Sequence, residues 1–246
     1  MSRTIYLISD AHLGAGSPEQ EARKLRMLAA LFRRVADEKA SLAVLGDLFD
    51  FWFEYRSVVQ IEHLEAVRLL EDLRSRGCRI SMVAGNHDFW LGDFIRRRLG
   101  IEVAMDRLVV EQDGRRVLLA HGDGLGPGDL GYKLLKAVLR FPANIWLYRL
   151  LHPDLGIPLA KWFSRISRDH FTKDRCLKGD PLWQAAREKF RQGFDAVVLG
   201  HVHLPSLRQE EGKTYCNLGD FITHFTYGRL RDGVLTLERM EEDTTT

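Results

Sequence analysis

Residues 79–90 read RISMVAGNHDFW. The first seven have the length and near-continuous hydrophobicity of a strand buried on both faces. An amide, an imidazole and a carboxylate then follow in consecutive positions, Asn86, His87 and Asp88. A plain turn would account for them, because Gly, Asn and Asp tolerate left-handed backbone and bond their own main chain. The rest of the chain decides between a turn and a site.

Four more apolar runs have the same character: TIYLIS (4–9), LAVLG (42–46), RVLLAHG (116–122) and DAVVLGH (195–201). Helical patterns separate the early ones. Leu25, Leu28, Leu31, Phe32 and Val35 recur at three- and four-residue steps, as do Ile61, Leu64, Val67, Leu70 and Leu73. Alternating strand and helix predicts right-handed βαβ units and a largely parallel sheet. The C-terminal stretches GKTYCNLGD, THFTYGRLRDG and GVLTLERM predict strands joined by short turns, hence an antiparallel sheet packed alongside.

The five runs end alike. SDAHLG carries Asp10 and His12, GDLFD carries Asp47 and Asp50, GNHD carries Asn86 to Asp88, HGDG carries His121 and Asp123, and GHVH carries His201 and His203. Five of the nine histidines stand at these corners, whereas His63, His152, His170 and His224 are scattered. Ligand sites of parallel α/β sheets form at the carboxyl ends of strands. Carboxylate, amide and imidazole donors together suit Mn²⁺, Fe²⁺, Zn²⁺ or Co²⁺. Residues two apart on an extended segment point the same way, so each D-x-H or H-x-H pair can reach one cluster. Glycines at 46, 85, 122 and 200 permit tight backbone at the strand ends.

The stretch 124–194 interrupts this rhythm. It predicts short helices bounded by Pro142, Pro153 and Pro158, inserted within a single domain spanning residues 1–246. Its apolar positions are dense: Leu134, Leu135, Val138, Leu139, Phe141, Ile145, Trp146, Leu147, Leu150, Leu151, Leu159, Trp162 and Phe163. Packing against the main body is expected to account for most of them. The remainder would line a pocket for an apolar ligand or rest on a membrane surface.

Net charge is only +2, yet residues 129–191 hold 13 Lys/Arg against 6 Asp/Glu. A basic segment on an acidic body suggests an anionic ligand. Nucleic acid is disfavoured, because overall charge is balanced and the basic segment is interleaved with Leu and Trp. Three cysteines, Cys78, Cys176 and Cys216, without CxxC argue against a disulfide framework or structural zinc. The first residues show no signal-peptide core and no run reaches membrane-spanning length, so a reducing cytosol is expected.

The ordered set D-x-H, G-D-x-x-D, G-N-H-D, H-G-D and G-H-x-H is similar to that of the calcineurin-like metallophosphoesterases, over roughly residues 4–239. The resemblance implies an α/β fold, a four-layer αββα sandwich of two mixed sheets with an inserted helical cap. It also implies two divalent ions. Asp10, His12, Asp47 and His203 would hold one; Asp47 would bridge to the second, held also by Asn86, His121 and His201. Two metals so arranged clamp a phosphoryl group.

Within that superfamily the chain resembles the UDP-2,3-diacylglucosamine hydrolases (diphosphatases) of lipid A synthesis. The resemblance rests on GDLFDFWF, HGDGLGPGDLGY, the helical insertion and GHVHLP. It implies cleavage of the pyrophosphate of an acylated UDP-sugar to UMP and 2,3-diacylglucosamine 1-phosphate, with manganese as the expected metal. No required protein partner is expected. The expected setting is cytoplasmic, with room for peripheral contact at the inner membrane surface. Asp129 and Tyr132 match the family's Asp and Tyr after HGD. Arg165, Arg168, Lys173 and Arg175 are the basic candidates for substrate contact.

One branch of the family carries Arg where this chain has His87. An expected role for His87, with Asp47 the other catalytic candidate, is as a cation or proton donor beside the phosphoryl group. Asp88 would accept a hydrogen bond from an imidazole. Two alternatives stay open: another phosphoesterase of the same fold, and a non-catalytic scaffold. The scaffold should have lost metal ligands, and all seven expected ones are present.

Overall fold

Side chains alternate across a strand, so an uninterrupted apolar run must be covered on both faces. In the computed structural model, which describes residues 4–125, 130–174 and 181–241, this is how the long runs are used. One sheet has the order β11-β10-β1-β2-β3-β4, from β1 (Ile5–Ile8), β2 (Ser41–Leu45), β3 (Ile80–Val83), β4 (Glu102–Ala104), β10 (Thr226–Arg231) and β11 (Val234–Arg239). The other has the order β5-β6-β7-β9-β8, from β5 (Arg107–Gln112), β6 (Arg115–Ala120), β7 (Ala196–Leu199), β8 (Ser206–Glu210) and β9 (Lys213–Asn217).

Each strand face then has its own cover. Tyr6, Ile8, Leu42, Val44, Ile80 and Met82 pack under α1 (Pro18–Asp37) and α2 (Leu64–Ser75) with Leu28, Leu31, Val35, Val67 and Leu70. The opposite face, Leu7, Ala43, Leu45 and Val83, meets Val117, Leu119, Ala196, Val198 and Cys216 of the second sheet. The far face of that sheet, Leu118, Ala120, Val197, Leu199 and Tyr215, is covered by Leu182 and Ala186 of α6 (Pro181–Arg191). The result is a four-layer αββα sandwich. Each fully buried Leu, Ile or Val stabilises it by about 1.5–3 kcal/mol against exposure.

The first three strands pair in parallel, as the alternation predicts. The C-terminal strands do not build a separate antiparallel sheet; that expectation is corrected. β9 extends the second sheet parallel to β7, and β8 folds back on it. The chain then crosses, and β10 pairs antiparallel with β1 in the first sheet. Hairpin patterns fix local pairing but not which sheet edge a hairpin joins.

Between β6 and β7 lie α3 (Leu130–Leu139), α4 (Pro142–Arg149), α5 (Pro153–Asp174) and α6. Pro142 and Pro153 open helices at the first position, where a missing N–H is harmless. Pro158 does not bound a helix as expected but lies inside α5, which forgoes one backbone bond there. α6 belongs to the sandwich core. The expectation that the insertion's apolar side chains mostly pack on the main body also fails. Eleven of the thirteen are exposed, Leu134 at 69% and Trp146 and Trp162 at 55% each; Leu139 and Ile145 are half-buried. These helices touch the body through a few anchors and leave their remaining apolar faces uncovered.

Candidate metal centre

The site is built at the carboxyl ends of β1, β2, β3, β6 and β7. Backbone bonds lock neighbouring ends together: His12 N donates to Asp47 O at 2.9 Å and Gly200 N to His121 O at 2.8 Å. Asp10, His12, Asp47, His201 and His203 all have φ between 43° and 72°. Left-handed backbone is uncommon for residues other than Gly, and five candidate ligands share it. Such strain is concentrated where surrounding structure holds side chains in a fixed aim.

α1 supports the first loop. Ser17 and Gln20 form a capping box at its start, and Pro18 follows the cap. Lys24, buried on this helix, donates Nζ to Ala11 O at 3.1 Å and His12 O at 2.7 Å. Its ion pair with Glu21 (2.6 Å) is tied in turn to Gly14 N and Gly16 N.

Two clusters share one carboxylate. His203 Nε2 lies 3.2 Å from Asp10 Oδ1 and 3.2 Å from His12 Nε2. His121 Nε2 lies 2.9 Å from Asn86 Oδ1. Asp47 Oδ2 stands between, 3.6 Å from His12 Nε2 and 3.2 Å from His121 Nε2. Ligating atoms of Asp10, His12 and His203 lie within 4.8 Å of one another, as do those of Asp47, His121 and His201. All seven expected ligands are thus brought together. His121 Nδ1 is bonded to Leu45 O at 2.8 Å, which turns Nε2 toward the cluster.

The donor set fits a divalent ion. Two imidazole nitrogens 3.2 Å apart converge with a carboxylate whose Oδ1, on Asp10, is buried and makes no hydrogen bond among the described residues. The charges agree. Burial alone would raise the Asp10 and Asp47 carboxyls, but the facing imidazoles hold both well below the usual carboxylate range. Burial likewise opposes charge on His121, yet the Asp47 carboxylate raises its ring to about 10. Two buried carboxylates kept anionic in this way favour a cation, and a metal ion can take the place of the proton on His121.

Among the described residues Asp88 does not bond an imidazole, which corrects that expectation. Its carboxylate accepts from Leu48 N (2.8 Å) and Gly85 N (2.9 Å), pinning the β2 and β3 ends together. His87 finds Asp50 instead: Nδ1 is 3.1 Å from Asp50 O and 3.6 Å from its Oδ1. Asp50 Oδ1 also lies 3.5 Å from His12 Nδ1. Burial pushes the His87 ring down to about 4, against the pull of Asp47. A ring nitrogen of His87 is nevertheless within 4.8 Å of ligating atoms of His12 and Asp47.

The substrate candidates are less visible. Tyr132 lies on α3, and Arg165, Arg168 and Lys173 on α5, but their side chains fall outside the description. Asp129 and Arg175 lie outside the described residues. Sequence reasoning missed Ser164, Lys24 and a His224–Asp220 pair at 2.8 Å. It also missed a cavity of about 870 Å³ walled by Trp52, Phe53, Phe89 and Trp90, with Arg97 and Arg149. The aromatic run FDFWF was the available signal for that cavity.

This arrangement defines a class. The calcineurin-like phosphoesterase family pattern matches residues 3–205, and the chain belongs to that family. Among its relatives it is similar to the UDP-2,3-diacylglucosamine hydrolase of Porphyromonas gingivalis, 33% identical over 98% of this chain and 99% of that protein. The hydrolase of the same name from Ralstonia nicotianae is 32% identical over 97% and 93%, and that of Neisseria meningitidis 30% over 88% and 89%. Metal ions belong to this family's chemistry, and the His/Asp clusters can hold them.

Proposed function

We propose that this chain hydrolyses UDP-2,3-diacylglucosamine at its pyrophosphate, giving UMP and 2,3-diacylglucosamine 1-phosphate. The observation that carries the reading is the Asp47 carboxylate between two imidazole clusters, its Oδ2 3.6 Å from His12 and 3.2 Å from His121. Near-full-length similarity to hydrolases of that name supports the substrate.

Asp10, His12, Asp47 and His203 would hold one divalent ion, and Asp47, Asn86, His121 and His201 a second. Manganese suits this thiolate-free N/O set. When bound, such ions neutralise charge on phosphoryl oxygens. The chain's own residues do the rest. His87 faces the phosphoryl group; with Nδ1 on Asp50, its other ring nitrogen handles a proton or charge there. Asp129, Tyr132, Arg165, Arg168, Lys173 and Arg175 contact sugar, nucleotide or phosphates.

Helices α3 to α5 act as the cap. Lys136 of α3 pairs with Asp123 at 2.7 Å, and Trp90 Nε1 donates to Leu139 O at 3.1 Å, which holds the cap beside the metal-bearing loops. The aromatic cavity beneath it suits fatty chains. The exposed apolar faces of α3 to α5 support peripheral contact with the cytoplasmic membrane surface, where such a substrate resides. No described helix is long and apolar enough to cross a membrane.

Phosphorus NMR of the reaction tests the proposal. It predicts two phosphomonoester signals, from UMP and the sugar phosphate, as the pyrophosphate signals fade. Release of UDP, with its pyrophosphate intact, would overturn it.

A further inference from the structure

One contact ties the inserted helices directly to an imidazole of the site. Ser164 Oγ, on α5, lies 2.5 Å from His87 Nδ1, 3.1 Å from Asp50 O and 3.2 Å from Asp50 Oδ1. Ser164 and His87 are 77 residues apart in the chain. We propose that Ser164 is a positioning residue: seated α5 fixes the ring and tautomer of His87 through this hydroxyl. The inference rests on the reading of His87 as the phosphoryl-facing group.

The hydrogen bonds leave one consistent arrangement. His87 Nδ1 is 3.1 Å from a carbonyl oxygen, which can only accept, so Nδ1 carries the proton. The single Ser164 hydroxyl proton goes to Asp50, and the Ser164 oxygen accepts from His87 Nδ1–H. With Nδ1 so engaged, Nε2 is the nitrogen left for substrate, and the His12 ring stands edge-on to His87, ring centroids 4.7 Å apart, to complete the fixed angle. Other anchors of the insertion among the described residues go elsewhere: Lys136 meets Asp123, Arg140 meets Asp106, Lys161 meets Glu62 and Leu139 O meets Trp90. Ser164 thus couples the cap's position to the aim of one site imidazole. Without it Nδ1 keeps only Asp50, and the ring gains freedom about χ2.

The test uses the full chain with Ser164→Ala, Ser164→Thr, His87→Ala and the double variant Ser164→Ala/His87→Ala. A small aryl phosphodiester with Mn²⁺ gives kcat and KM independently of the natural substrate. The account predicts that Ser164→Ala lowers kcat about tenfold, the weight of one hydrogen bond, with KM unchanged. Ser164→Thr should recover most of it. Ser164→Ala should add nothing in the His87→Ala background, since the coupling runs through that ring. Nitrogen-15 spectra of the full chain loaded with diamagnetic Zn²⁺ should show one His87 tautomer, protonated at Nδ1, and a mixture in Ser164→Ala.

Unchanged kcat together with an unchanged tautomer would overturn the proposal. So would an equal loss in the His87→Ala background. If His87→Ala alone retains wild-type kcat, the role given to His87 fails. The spectra then decide the positioning separately: a lost tautomer preference upholds it and an intact one refutes it.

Discussion

Gly85 lies flat against the Asp47 carboxylate. A Cβ at Gly85 would overlap Asp47 Oδ1 and come within 2.6 Å of the Asp47 amide nitrogen. Space, not a left-handed φ, demands glycine here. Gly85→Ala should therefore displace the shared carboxylate and lower turnover by roughly a hundredfold or more. Elemental analysis should find less bound metal. Gly131→Ala is the control, because among the described residues no other element comes within 4 Å of a Cβ at Gly131. Full metal content in Gly85→Ala would mean that Asp47 has room to shift without consequence.

Metal loading should release protons. The Asp47 carboxylate raises His121 to about 10 against the effect of burial, so in the metal-free cluster at pH 7–8 this ring is protonated. A ligating imidazole must be neutral. Apparent metal affinity should rise up to about tenfold per pH unit below 10 through this group. Calorimetry in buffers of different ionisation enthalpy measures the proton count directly. Buffer-independent heats would show that His121 is already neutral before metal arrives.

Much of the site was legible in the sequence for a physical reason: strand ends in a parallel arrangement converge, and a motif at each end needs only local reading. Asp10, His12, Asp47, Asn86, His121, His201 and His203 all fall in that category. The strand runs also revealed their double-sided burial. What escaped reading depends on contacts distant in sequence. Ser164 has no local signature, because its partners Asp50 and His87 lie on other elements. Asp88 was expected to face an imidazole, but two backbone N–H groups compete for it and win. The destination of β8 to β11 depended on open sheet edges. The exposed cap faces were misjudged because helical periodicity identifies an apolar face without identifying its cover.

Acid should weaken the fold through His63. Its ring is buried against Phe49 and Trp52, with Nε2 3.0 Å from Phe51 O. Burial lowers it to about 4, against the opposing pull of Glu62. The unfolded chain, near 6.5, binds this proton first. Stability from the group is complete above 6.5 and is lost as pH falls toward 4, at up to about 1.4 kcal/mol per pH unit. Thermal unfolding at pH 7.5 and 5 should show a smaller drop in Tm for His63→Gln than for wild type. Equal drops would assign acid sensitivity to other groups.

The apolar cap faces should bind lipid. Trp146, Trp162 and Phe163 are each at least 55% exposed, so replacing all three with Ser leaves the core intact. Co-sedimentation with phospholipid vesicles should fall severalfold in that variant, while turnover of a water-soluble aryl phosphodiester stays unchanged. Undiminished vesicle binding would place the membrane contact elsewhere on the molecule.

The most direct test of the central claim is hydrolysis of UDP-2,3-diacylglucosamine compared with its unacylated counterpart, by metal-stripped and Mn²⁺-restored enzyme, with Asp47→Ala alongside. The account predicts metal-dependent cleavage to UMP, a kcat/KM for the acylated substrate at least about a hundredfold higher, as a buried fatty chain can supply, and no turnover by Asp47→Ala. Equal rates on both substrates, or undiminished activity without metal, would contradict it.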